Sequence, residues 1–177
     1  MEERRMESAF DAPSEWKGLE SLYRQHLTSI SPVRAILEVG VDYGFSLFTF
    51  ARDFPNAIVI GVDRYWNDCG HPDAERWVLR WLPTFPNVVI IKETTEKAAE
   101  IICGTFDIIH IDAIHDMANM TGDFNRWSPK LKSGGCMMFH DVNDRVLFPE
   151  AEEFFEQLPG DKALVGPHHG LGFWYKR

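Results

Sequence analysis

After Ile30, short apolar runs take turns with amphipathic ones to the end of the chain, a pattern that a sheet flanked by helices accommodates. Ala35 to Val39, Ala57 to Val62, Val88 to Lys92, Phe106 to Asp112 and Cys136 to His140 read as strands. Several are apolar at successive positions, so both faces must be covered. Between them, Phe45 to Asp53, Asp73 to Leu82, Glu96 to Cys103, Met117 to Trp127 and Phe148 to Leu158 read as helices. The second is the clearest, with Ala74, Trp77, Val78, Trp81 and Leu82 on one stripe. Right-handed crossovers then give a Rossmann-like, doubly wound and largely parallel α/β sheet. Two final strand-like runs, Ala163 to Val165 and Gly170 to Tyr175, are joined only by Gly166, Pro167, His168 and His169. That leaves no room for a helix, so they must form an antiparallel hairpin and make the sheet mixed.

A length of 177 residues suits one domain. Residues 1 to 31 read as a polar arm and a packed helix, capped by Ser14, with Trp16, Leu19, Tyr23, Leu27 and Ile30 at helical spacing. Residues 32 to 177 form the sheet domain. Eighteen basic against 27 acidic side chains give a net charge of -9, which speaks against nucleic acid and anionic membrane partners. No apolar run approaches the roughly 18 to 20 residues of a membrane span, and the start MEERRMESAFDAPSEW lacks the apolar core of a secretion signal, so a soluble, cytoplasmic protein is expected. Cys69, Cys103 and Cys136 are widely spaced and odd in number, which suits reduced thiols.

Ligands of open α/β sheets gather at the carboxyl ends of the strands. The first strand ends in Glu38-Val39-Gly40-Val41-Asp42-Tyr43-Gly44-Phe45-Ser46, where glycines permit a tight turn into a helix. The second ends in Asp63-Arg64, and Asp63 lies twenty-three residues after Gly40, where a carboxylate accepts ribose hydroxyls. A nicotinamide dinucleotide needs G-x-G-x-x-G around its pyrophosphate, but Asp42 stands in place of the middle glycine and opposes those charges. S-adenosylmethionine has no phosphate and carries a sulfonium and an ammonium, so electrostatics favours it. The alternative is that Gly40 and Gly44 only let the helix pack while Glu38 pairs locally.

Over roughly residues 32 to 177 the sequence resembles the class I S-adenosylmethionine-dependent methyltransferases. LEVGVDYGFS looks like the first motif of small-molecule O-methyltransferases related to catechol O-methyltransferase, and of the group that includes cephalosporin-hydroxylase-like proteins. The resemblance implies a seven-stranded sheet ending in the hairpin. It also implies that Glu38 and the backbone at Gly40 and Val41 approach the methionine end, that Ser46 hydrogen-bonds its carboxylate and that Asp63 takes the ribose. Glu93 and Thr94 would lie near the adenine.

The fourth strand delivers Asp112-Ala113-Ile114-His115-Asp116 and the fifth His140-Asp141-Val142-Asn143-Asp144. Asp112, His140 and Asp141 are candidate ligands of an open divalent-cation site. The catechol-type enzymes use an aspartate and an Asp-Asn pair at these places. The His-Asp pair here brings manganese or iron into consideration beside magnesium. The alternative has Asp112 touching the cofactor and Asp141 capping the next helix. His115 occupies the place of that family's lysine base and suits the task. His110 reads as a core histidine, and His168 and His169 as solvated loop residues. Trp66, Asn67, Asp68 and His71 are candidates for the adenine or substrate mouth.

The expected activity is methyl transfer to an oxygen of a small molecule, sugar-like or phenolic, with His115, Asp141 and Asp112 as catalytic residues. A non-catalytic cofactor-binding module or partner subunit is the second reading, and an NAD-dependent oxidoreductase the third. The acceptor pocket is left to variable loops, with a second copy in a homo-oligomer as an open contributor.

Overall fold

The computed structural model describes residues 11, 14, 16–66, 71–166 and 170–177. A seven-stranded sheet carries β1 (Ala35–Val39), β2 (Ile58–Val62), β3 (Val88–Ile91), β4 (Phe106–Ile111), β5 (Leu131–His140), β6 (Asp161–Val165) and β7 (Leu171–Tyr175) in the order β3-β2-β1-β4-β5-β7-β6. β1 to β5 are parallel, while β7 runs antiparallel to β5 and to β6. β1 pairs with β2 on one side and with β4 on the other, so the order reverses at its carboxyl end. A crevice opens at such a reversal.

The helices are α1 (Glu20–Leu27), α2 (Phe45–Asp53), α3 (Ala74–Trp81), α4 (Thr95–Ile101), α5 (Met117–Trp127) and α6 (Pro149–Gln157). Strand periodicity sorts the side chains into two cores. Ile36, Ile108 and Met138 face one side with Tyr23, Leu27, Leu47, Phe50 and Val78 of α1 to α3. Leu37, Ile109 and Met137 face the other with Ala98, Met120, Trp127, Phe154 and Phe155 of α4 to α6. Each such buried side chain contributes about 1.5–3 kcal/mol, which is why the alternation was readable at all. Among the described residues no helix is long and apolar enough to cross a membrane.

The two largest departures from the expected boundaries each involve a glycine. α1 starts at Glu20: Ser14 Oγ accepts the Trp16 N–H at 3.2 Å in a local turn, and Gly18, at φ 104, is not helical. β5 starts at Leu131, because Gly134 (φ 79) bulges while its N–H pairs with the Lys176 carbonyl at 2.7 Å. The register with β4 accordingly slips from Phe106↔Leu131 to Ile108↔Cys136.

Candidate functional site

The turn after β1 is fixed by backbone contacts. Gly40 has φ 85, and a Cβ built there would lie 1.8 Å from the Asp112 carbonyl oxygen. Only glycine lets β1 and β4 end this close together. Gly44, at φ 79, starts α2 without a side-chain cap. Asp63 closes the turn from β2: its Oδ2 accepts the N–H groups of Val41 (2.8 Å) and Asp42 (3.0 Å), and its Oδ1 that of Tyr65 (2.8 Å). A carboxylate offers about four lone-pair sites, so Asp63 retains capacity toward a ligand.

A cleft of about 410 Å³ follows, lined among others by Gly40, Asp42, Asp63, Arg64, Glu93 and Asp112. Thr94 also lines it and caps α4, accepting the Lys97 N–H at 3.3 Å. Asp42 pairs with His71 Nδ1 at 2.9 Å across the mouth. Arg64 lies 4.7 Å over the exposed Trp66 ring. Asn67, Asp68, Cys69, His168 and His169 lie outside the described residues.

Glu38 and Ser46 turn inward instead. Both are buried, with the Ser46 hydroxyl donating to Glu38 Oε1, and neither lines the cleft. His110 Nδ1 meets the same Glu38 oxygen at 2.9 Å, in keeping with a core histidine. Burial pushes the Glu38 carboxyl up, against the opposing pull of His110 and Ser46. Glu38, His110 and His140 extend the strand face of Ile36, Ile108 and Met138, beneath α1.

Beyond the cleft, the loops after β4 and β5 bring Asp112, His115 and Asp141 together, with one potential ligand atom from each within 4.8 Å of the others. His115 Nε2 is buried without a hydrogen-bond partner, 3.6 Å from Asp112 Oδ1 and 3.4 Å from Asp141 Oδ2. Asp141 has φ 58, a left-handed conformation that short polar residues tolerate. Burial alone would raise the Asp112 carboxyl, but the imidazoles of His140, His115 and His110 outweigh it and hold it down at about 2. Two carboxylates and an imidazole fit a divalent cation. His140, expected as the third ligand, falls outside this group. It is fully buried, with Nδ1 3.0 Å from Asp141 Oδ1 and its ring centroid 3.8 Å from that of Trp16. Asp116, next to His115, caps α5 by accepting the Asn119 N–H at 2.8 Å.

Sequence reasoning missed the apolar residue packed beside this cluster. Phe148 lies 5.0 Å from the His115 ring, and Ile114, Val146 (88% exposed) and Leu147 stand open to solvent nearby in sequence. An adjacent apolar pair in the loop between β5 and α6 was the available signal.

A family model described as a methyltransferase domain matches residues 37–142, from within β1 to just past β5. In sequence, the chain is 29% identical over 161 residues to the uncharacterized protein y4gI of Sinorhizobium fredii, a match that takes in 81% of this chain and 17% of that protein. The chain thus spans about a sixth of that relative's length. In structure, it matches the SAH-bound methyltransferase PaMTH1 of Podospora anserina with a TM-score of 0.72 at 15% identity, covering 99% of this chain and 87% of the other. It also matches the MycE methyltransferase of the mycinamycin biosynthetic pathway, solved with Mg, SAH and mycinamycin VI, with a TM-score of 0.65 at 18% identity, covering 97% and 52%. At such identities the likeness establishes a shared fold. The family match, however, takes in the glycine turn, Asp63 and the cluster of Asp112, His115 and Asp141, and by it the chain belongs to the methyltransferase domain family.

Proposed function

We propose that the chain moves the methyl group of S-adenosylmethionine to an oxygen of a small-molecule acceptor. The observation that carries this reading is the junction of two halves at one crevice. The cleft at the glycine turn is rich in carboxylates, with Asp42, Asp63, Glu93 and Asp112 on its walls, and it runs to the Asp112, His115 and Asp141 cluster. Such walls suit a ligand with sulfonium and ammonium charges and oppose a pyrophosphate. The shared fold with SAH-bound PaMTH1 and with MycE supports the same cofactor.

In this reading Asp63 and Arg64 face the ribose, Glu93 and Thr94 the adenine, and the backbone at Gly40, Val41 and Asp42 the methionine end. Glu38, Gly44 and Ser46 act one layer back: Gly44 starts α2, and Glu38 with Ser46 anchors the turn from below. His115 Nε2, unpartnered at the junction, accepts the proton of the acceptor hydroxyl. The oxygen electron pair then forms the new C–O bond as the C–S bond breaks, yielding a methyl ether and S-adenosylhomocysteine. Asp112 and Asp141 would hold a divalent cation, which when bound lowers the energy of the developing alkoxide. The two carboxylates, converging from the loops after β4 and β5 with ligand atoms within 4.8 Å, are the observation that this pair fits one, and His115 Nε2 stays outside the pair as the base.

Alignment in the cleft supplies the largest share of the acceleration, roughly 7 to 11 kcal/mol, against about a hundred- to ten-thousand-fold from a positioned base. The test is calorimetry with S-adenosylmethionine, S-adenosylhomocysteine and NAD, followed by mass spectrometry of hydroxylated acceptors incubated with and without Mg²⁺ or Mn²⁺. Preference for NAD would overturn the cofactor. Tight cofactor binding without methylation of any acceptor would favour a non-catalytic module.

A further inference from the structure

We propose that His140 is a positioning residue, whose Nδ1–H fixes one oxygen of Asp141 so that the other stays turned toward His115. The two oxygens of Asp141 have different neighbours: Oδ1 lies 3.0 Å from His140 Nδ1, and Oδ2 lies 3.4 Å from His115 Nε2. A carboxylate side chain free to rotate would exchange them. Asp141 is not free to do so, because His140 is itself immobilised. Its ring is fully buried at the end of β5, with Trp16 packed on it at 3.8 Å between centroids and His110 edge-on at 6.1 Å.

The proton position follows from the same contacts. The Asp141 backbone N–H points at His140 Nδ1 at 3.1 Å, and Asp141 Oδ1 lies 3.0 Å from the same nitrogen. A lone pair on Nδ1 would accept the amide N–H but would face the carboxylate with like partial charge. A proton on Nδ1 gives up that amide bond and makes a charge-assisted one to the carboxylate instead, about twice as strong as a neutral one. The carboxylate contact therefore decides the tautomer, and with Nδ1 so engaged the ring is a support for Asp141, as the second layer of a metal or catalytic site commonly is. The hydrogen bond stands on geometry alone, whereas its consequence for a cation rests on the function proposed above.

The experiment compares wild type, His140→Asn, His140→Leu, His140→Gln and Asp141→Asn, with ¹⁵N-labelled histidine and S-adenosylhomocysteine calorimetry as the folding control. The asparagine amide places a donor close to where Nδ1 stands, the glutamine amide sets it one carbon further out, and leucine has none. Ring spectra of the wild type should show His140 protonated on Nδ1. The His115 ring resonances should move in His140→Leu in the same sense as in Asp141→Asn, and return toward wild type in His140→Asn. Mn²⁺ affinity, read from the free-ion electron paramagnetic resonance signal, should fall roughly ten- to hundredfold in the leucine variant and recover in the asparagine one. If leucine does not fold, glutamine takes its place as the variant that fails to rescue. His115 resonances indifferent to His140→Leu, or an asparagine variant as damaged as the leucine one, would overturn the proposal. A wild type that binds no Mn²⁺ would remove the cation reading of the site, and the ring spectra would still decide the role of His140.

Discussion

Replacing Gly40 by alanine puts one methyl group where the chain has no space for it. The added Cβ would stand 1.8 Å from the Asp112 carbonyl oxygen and 2.5 Å from its carbon, both backbone atoms at the end of β4. A left-handed residue with a Cβ costs roughly 1–2 kcal/mol, and forcing an extra methyl into a packed region a further 1–3, so the loss should be about 2–5 kcal/mol. That is a large part of a typical domain's 5–15 kcal/mol. Gly44→Ala supplies the comparison. At φ 79 it has similar backbone strain, but its Cβ meets only the side chains of Phe48 and Val78, at 3.0 and 3.1 Å, which can shift. It should therefore lose only about 1–2 kcal/mol. Urea titrations give the stabilities, and calorimetry with S-adenosylhomocysteine reports on the cleft, whose wall moves when Asp112 is displaced. A Gly40→Ala protein as stable as Gly44→Ala, with unchanged ligand affinity, would refute the argument that close approach of β1 and β4 builds the cleft.

Asp63→Ala removes the acceptor of three backbone N–H groups, so it should cost about 3 kcal/mol of stability and weaken cofactor binding together; a loss of affinity without loss of stability, by the same urea and calorimetric measurements, would contradict this bracing role. His115→Gln should lower single-turnover methylation about a hundredfold or more while sparing cofactor affinity, and an unchanged rate and pH profile would exclude His115 as the base. Asp112, held down at about 2 against roughly 3.9 in the unfolded chain, contributes stability that is present above pH 4 and lost as pH falls toward 2. Urea titrations from pH 5 to pH 2 should therefore show wild type losing on the order of 2 kcal/mol that Asp112→Asn has no carboxylate to lose.

The parallel strands were legible because each carries apolar residues on both faces, and the hairpin because four residues cannot hold a crossover helix. The start of β5 was not, since Lys132, Ser133, Gly134 and Gly135 read locally as a turn, and pairing with distant backbone, at Lys176 and through Leu131 at Phe106, makes them strand. At the site, Asp63 and the cluster members Asp112, His115 and Asp141 could be placed at strand ends, where position along the sheet suffices. Which way a side chain points there is a finer question. The two-residue period carries Ile36 into Glu38, Ile108 into His110 and Met138 into His140, so these three share the face beneath α1, where the sequence reading had put His110 alone. His140 stands at the strand end beside Asp141, which makes it a candidate ligand in the sequence, but its ring lies on that buried face and outside the group of Asp112, His115 and Asp141.

The placing of β7 between β5 and β6 has a consequence for the order in which the molecule can be assembled. A nascent chain that has emerged only as far as Val165 already contains β5, with Asp141 just beyond it, but β5 then has β4 on one flank and an open row of backbone donors and acceptors on the other. β6 cannot fill that gap, for its own partner is β7. Until Leu171–Tyr175 slides in between, the edge beside His140 is exposed to any other extended chain, and a segment synthesised after β6 closes the flank of the strand that leads into Asp141.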